Sequence, residues 1–172
     1  MQNKALIFQK SDGGRLKIDI YAFQKINKCL QTGQNDCEAG GVLLGRYIID
    51  SNDIVVDDVT MPMKNDIRRR FFFLRRKRLH QKVVIKRWIE SKGACNYLGE
   101  WHTHPEEIPT PSCIDIKEWK RLLRTAKFDN DYLYFIIAGT KKMGVWEGNK
   151  YTMEIRQLSE ISNLDGVDDY EI

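Results

Sequence analysis

Residues 99–115, GEWHTHPEEIPTPSCID, contain two of the three histidines in this 172-residue chain, His102 and His104, two positions apart. Pro105 follows at once, and a Ser-x-x-Asp, Ser112 to Asp115, begins seven residues after that proline. An extended chain turns alternate side chains to one face, so two histidines at the end of a strand aim together. Pro105 cannot donate to a strand ladder and turns the chain out of the sheet. Prolines at 105, 109 and 111 stiffen the loop that follows. Ser112 is a good helix N-cap, and Asp115 then lies in the first turn, where its charge suits the helix dipole. That path can bring one carboxylate back towards two imidazoles. Two histidines and one aspartate leave the fourth position of a tetrahedral metal open to water, the pattern of catalytic zinc, whereas structural zinc sites close all four positions, usually with cysteine. An isolated His-x-His is most simply a pair of strand residues, and an isolated Ser-x-x-Asp a helix cap. The whole string in one stretch is far more demanding, and the metal reading is preferred.

A zinc hydrolase also needs a carboxylate to take a proton from water and pass it on. Glu100 has the parity of His102 and His104 and faces their side. Glu106 and Glu107 sit in the stiff loop. Glu38 precedes AGGVLLG, where Gly40 and Gly41 admit another backbone or a substrate beside a buried strand. Spacing alone does not choose among them.

The elements that must carry these groups are legible in outline. Strands are expected at 5–8, at 40–49 and 53–61 around a turn at 50–52, at 96–103 delivering the histidines, and at 132–138. A hairpin is expected from 142–146 and 151–157 with its turn at 147–149. Apolar spacing predicts helices over 18–30, over 72–91 and from Ser112 to about 128. The strand at 40–49 is apolar on both faces and belongs in the middle of a sheet. Strands and helices mixed in this way give an α/β or α+β sandwich around one sheet.

Glu38-Ala39-Gly40-Gly41-Val42-Leu43-Leu44-Gly45, then His102-Thr103-His104-Pro105, then Ser112 and Asp115, resemble the JAMM (MPN+) zinc metalloprotease signature: a glutamate before a Gly-rich strand, then H-S/T-H-P-x6-S-x-x-D. The resemblance covers about residues 5–155. It implies an MPN/JAB domain, a cytidine-deaminase-like mixed β-sheet flanked by helices. It further implies one Zn²⁺ per chain on His102, His104 and Asp115, Glu38 as general base, and Ser112 as donor to the oxyanion. Glu100 then becomes a supporting residue. "GEWHTHPE", "PSCID" with Trp119 four residues on, and the basic-aromatic run ending His80-Gln81 resemble the bacterial single-domain JAB peptidases found beside ubiquitin-like conjugation enzymes, among them the deconjugating peptidases of CBASS antiphage operons. Implied partners are a protein substrate with a C-terminal conjugation tail, either a nucleotidyltransferase or a ubiquitin-like protein, and an activating and conjugating enzyme. Rival readings are a non-catalytic MPN scaffold, which loses metal ligands that are all present here, and a nucleic-acid-associated protein resembling RadC.

The totals fit one soluble domain, taken as 1–160, with an acidic flexible tail at 161–172. Apolar residues make up 42% and charged residues 30% of the chain, ordinary values for a globular protein. No run of about 18 apolar residues offers a membrane span, and "ALIF" is too short for a signal-peptide core, so a cytoplasmic setting is expected. Cys29, Cys37, Cys95 and Cys113 form no C-x-x-C pair and read as free thiols. Cys37 and Cys113 adjoin Glu38 and Ser112, and the resemblance would bring them near one another as a possible redox pair. The net charge of +4 is unevenly placed: 68–82, RRRFFFLRRKRLHQK, holds eight basic residues and no acid. That run is first a solvated face, next a rim with which Arg75, Arg76 and Arg78 grip an acidic substrate, and last a nucleic-acid contact.

Overall fold

A computed structural model describes residues 5–161. The tail expected at 161–172 lies, from 162 onward, outside the described residues. Eleven strands and three helices are present there: β1 (Leu6–Gln9), β2 (Arg15–Ile18), α1 (Ile20–Asn27), β3 (Gly40–Tyr47), β4 (Ile54–Val59), β5 (Ile67–Arg69), β6 (Phe72–Leu74), α2 (Lys77–Glu90), β7 (Asn96–Thr103), α3 (Cys113–Thr125), β8 (Tyr132–Ala138), β9 (Met143–Asn149), β10 (Ile155–Gln157) and β11 (Ser159–Glu160). Nine strands form one mixed sheet in the order β10-β9-β8-β7-β3-β4-β2-β1-β11, while β5 and β6 form a separate hairpin. The β2–β4 and β7–β8 pairs are parallel and the other pairs antiparallel. The expected mixed sheet flanked by helices is the observed fold.

The centre of the sheet is buried on both faces, and β8 shows why. Its run YLYFIIA sends Tyr134, Ile136 and Ala138 into one apolar cluster with Ala22 and Ile26 of α1. Leu133, Phe135 and Ile137 go into a second cluster under α3. Period two splits one apolar string between two cores. Helix α3 repeats Trp119, Leu122 and Leu123 on one face, and Trp119 stacks on Phe135 with ring centroids 4.6 Å apart. Such offset aromatic pairs add to the area they bury.

Gly99 is the residue in β7 that only glycine can fill. It sits at φ +146°, and a Cβ there would lie 1.8 Å from the Tyr134 carbonyl oxygen. That close approach holds the parallel β7–β8 register, in which His102 pairs with Ile137.

Four expectations are corrected. The helix expected over 18–30 is shorter: Ile18 closes strand β2, which runs parallel to β4, and α1 spans Ile20–Asn27 with Lys28 as its cap. The segment 72–91 is not one helix: Phe72–Leu74 pairs with Ile67–Arg69, and α2 begins only at Lys77. The turn expected at 147–149 lies inside β9, which runs to Asn149, and the chain reverses before β10. Helix α3 stops at Thr125.

Candidate active site

Strand β7 carries Trp101 and Thr103 buried on one face and turns Glu100 and His102 to the other, towards a cleft of about 230 Å³. His104 lies just past the strand, where its backbone N–H donates to the Ala138 carbonyl and extends the register by one residue. Across the prolines the chain re-enters at α3 with Ser112 as N-cap. The Asp115 N–H donates to Ser112 Oγ at 3.2 Å and the Ser112 N–H donates to Asp115 Oδ2 at 2.6 Å, a reciprocal capping box. This box locks the carboxylate in place, and as an acceptor Ser112 Oγ keeps its own proton for another partner.

The result is a cluster. His102 Nε2 and His104 Nε2 stand 3.0 Å apart. Asp115 Oδ1 is 3.3 Å from His102 Nε2, and Oδ2 is 3.6 Å from His104 Nε2. A tetrahedral zinc with ligands at about 2.0–2.1 Å has ligand-to-ligand edges of about 3.3 Å, so this donor set fits the ion. Among the described residues it is the group of histidine, cysteine and acidic side chains placed to hold a metal. His104 Nδ1 lies 3.1 Å from Glu106 Oε2, which favours a proton on Nδ1 and leaves Nε2 free as a ligand.

Electrostatics agree with that assignment. Burial and the neighbouring His102 hold the His104 imidazole below its ordinary value, which keeps it neutral and ligand-ready. Burial works against ionisation of Asp115, but the hydrogen bond and charge of His102 and the Ser112 contacts win and hold its carboxyl well below the usual range. Glu38, 6% exposed, goes the other way. Burial, then the charges of Asp115 and Glu106, push its carboxyl up to about 8. Groups in one cleft pushed apart in this way are the signature of acid–base work.

A measurable consequence follows for the metal-free protein. The folded state binds the Glu38 proton more tightly than the unfolded chain, whose ordinary value is 4.5, so stability falls as pH rises from 4.5 through about 8. Asp115 acts oppositely and below that window, losing its contribution as pH falls. Glu38→Gln in metal-free protein should therefore melt above metal-free wild type at pH 8 and match it near pH 4, as followed by circular dichroism. Equal slopes for the two proteins would show that Glu38 is not held protonated.

The other acids are placed elsewhere. Glu100 lines the same cleft, but it is ion-paired with Arg75 and accepts from the Tyr97 hydroxyl at 3.4 Å. Glu107 pairs with Lys141 at the surface, 2.7 Å away. The basic run is divided among structural tasks. Arg68 and Arg70 donate to backbone carbonyls, Arg75 lines the cleft already paired with Glu100, and Arg76 and Arg78 are exposed at the start of α2. All four cysteines are free thiols; Cys37 is half-buried and Cys113 exposed. None of the described helices is long and apolar enough to cross a membrane.

Spacing in the sequence did not reveal the framework around Glu38. Its N–H donates to the Arg69 carbonyl at 2.9 Å, and its carbonyl accepts from Arg68 Nε at 2.8 Å. The β5–β6 hairpin thus grips the backbone of this residue on both sides, and Gly40 leaves room for the Phe73 ring, which a Cβ there would meet at 2.4 Å.

Comparison with known proteins adds four findings. Residues 30–154 match the family model for prokaryotic homologs of the JAB domain. The chain is 42% identical over 93 residues to a CD-NTase/cGAS isopeptidase of Pseudomonas aeruginosa, covering 54% of this chain and 58% of that protein. It is 31% identical over 160 residues to a CD-NTase/cGAS isopeptidase of Escherichia coli, covering 93% of this chain and 97% of that one. A solution structure of a protein from Desulfitobacterium hafniense shares the fold, with a TM-score of 0.53 and 23% identity over 78% of this chain and 84% of that one.

Proposed function

This chain belongs to the prokaryotic JAB-domain family, and on that premise we propose that it is a zinc-dependent isopeptidase or peptidase, cutting an amide bond after the C-terminal tail of a CD-NTase-type conjugate. The observation that carries the reading is the convergence of His102, His104 and Asp115 in one cleft with the buried carboxylate of Glu38 and the hydroxyl of Ser112. The relatives named as CD-NTase/cGAS isopeptidases support the choice of substrate. In this reading residues 1–160 are the catalytic unit, 161–172 an acidic tail, and the setting a cytoplasmic antiviral conjugation system whose activating and conjugating enzyme makes the bond that this chain removes.

His102, His104 and Asp115 would hold one Zn²⁺, which supplies a Lewis acid able to polarise a carbonyl and make water nucleophilic near neutral pH. Glu38 takes the proton of the attacking water; its raised affinity for protons suits it to keep that proton and then deliver it to the leaving amine. With a cation on Asp115, the neighbouring charge that raises Glu38 would be offset, and the Glu38 carboxyl would ionise more readily than in metal-free protein. The Ser112 proton, free of the capping box, donates to the developing oxyanion. A cleft of about 230 Å³ admits an extended tail rather than a folded domain. Its wall includes the Phe72–Leu74 strand, against which a tail could add in β fashion. Arg76 and Arg78 remain available as an outer rim for an acidic partner.

The test is a bacterial CD-NTase carrying a reporter protein fused in line after its C-terminal residue, incubated with zinc-loaded chain. Cleavage at the junction, seen by intact mass, is the expected result. Ser112→Ala should slow it by ~10²–10³, the usual effect of losing one oxyanion donor. An uncut fusion, together with an uncut isopeptide conjugate of the same CD-NTase, would reject the substrate assignment.

A further inference from the structure

The third histidine takes no part in this chemistry, yet it is the most completely enclosed. His80 is 0% exposed and is the buried residue of α2, a helix whose apolar side chains fall on no common face. Its ring joins two carriers. Nε2 lies 3.0 Å from Asp66 Oδ2 and Nδ1 lies 2.7 Å from Thr60 Oγ1. The Asp66 carboxylate can only accept, so Nε2 carries hydrogen and donates to it, while Nδ1 pairs with the Thr60 hydroxyl.

Each carrier leads to Glu38. Asp66 also accepts from the N–H of Met63 at 2.7 Å and of Arg76 at 2.8 Å, so one carboxylate closes the neck of the β5–β6 hairpin from both sides. That hairpin holds the Glu38 N–H and carbonyl through Arg69 and Arg68. Thr60 Oγ1, in turn, accepts from the Val42 N–H at 2.9 Å, on the strand that leaves Glu38. The metal-holding side chains are carried by different elements, the end of β7 and the start of α3.

We propose that His80 is a positioning residue for the general base: through Asp66 and the β5–β6 hairpin on one side, and Thr60 and β3 on the other, it sets where the Glu38 carboxylate stands relative to the metal cluster. This rests on Glu38 being the base. Displacing a reacting group by about 1 Å can lower a rate by ~10²-fold, which is the scale available to such a device.

The experiment compares wild type with His80→Leu, which fills the space and loses both bonds, and His80→Gln, whose amide can donate to Asp66 and accept from Thr60. Hydrogen exchange of the Glu38 amide, measured without substrate, should speed up at least tenfold in His80→Leu and return towards wild type in His80→Gln. On the CD-NTase fusion, kcat should fall ~10- to 100-fold in His80→Leu, with KM within about threefold and zinc content unchanged, and His80→Gln should recover most of it. If His80→Leu does not fold, Asp66→Asn, which keeps the shape and weakens the acceptor, must show the same exchange and kcat pattern. The proposal is overturned by unchanged Glu38 exchange and kcat in folded His80→Leu, by zinc loss or a KM rise that accounts for the defect, or by a folded His80→Gln that recovers nothing. Failure of the base assignment itself reads differently: Glu38→Gln would then keep turnover, whatever the exchange data say of His80.

Discussion

Alanine at His102 or His104 should abolish zinc binding and hydrolysis together, taking the purified protein from an expected one zinc per chain, as a three-ligand open site implies, to none. The expectation follows from donor atoms that converge within 3.0–3.6 Å, the one such group of three found among the described residues. Removing one leaves two ligands, too few to hold the ion against water. Asp115→Ala has the same effect on zinc but also deletes half of the capping box, and losing a helix cap typically costs ~0.5–2 kcal/mol of stability. Asp115→Asn separates the two effects, since its amide oxygen can still accept from the Ser112 N–H while its charge is gone. Zinc is measured by mass spectrometry after gel filtration, and folding by thermal melts. Stoichiometric zinc retained in the His102→Ala/His104→Ala double variant would sink the site.

Glu38→Gln should leave zinc content and fold intact and lower kcat by ~10²–10⁴, the usual contribution of a positioned acid–base group. Glu100 is the informative control because it faces the same cleft. Its carboxylate is paired with Arg75, so Glu100→Gln should lower the melting temperature by leaving that guanidinium poorly paired, yet keep most of the turnover. Single-turnover kinetics on the CD-NTase fusion distinguish the two. Turnover that needs Glu100 and survives without Glu38 would reverse the roles assigned to these carboxylates.

The local part of this site was legible from residue order. His102 and His104 share a face because strand side chains alternate, and Ser112 and Asp115 meet because an N-cap and the third residue after it are hydrogen-bonding neighbours in any helix. Each relation spans four residues or fewer, so backbone geometry decides it. The apolar run at 132–138 announced a strand buried on both faces for the same reason. Longer relations were a different matter. Phe72–Leu74 has apolar spacing that suits a helix or a strand, and the choice fell to partners far away: the Glu38 N–H on Arg69 and the Gln31 amide on Arg70 hold the segment as a hairpin. Strand β2 has only four residues, paired with its neighbour β1 and, far along the chain, with β4. Among four glutamates of equal chemical promise, spacing could not pick the base, and the resemblance singled out Glu38. The β3–β7 register sets Gly40 opposite His102 and so brings residue 38 into the cleft of His102, His104 and Asp115, while Arg75 is paired with Glu100. Hydrogen-bond register and ion pairing between segments tens of residues apart depend on which chain surfaces meet in the folded sheet, a fact no local periodicity encodes, and so only the tertiary structure shows Glu38 beside the histidines and Glu100 paired with Arg75.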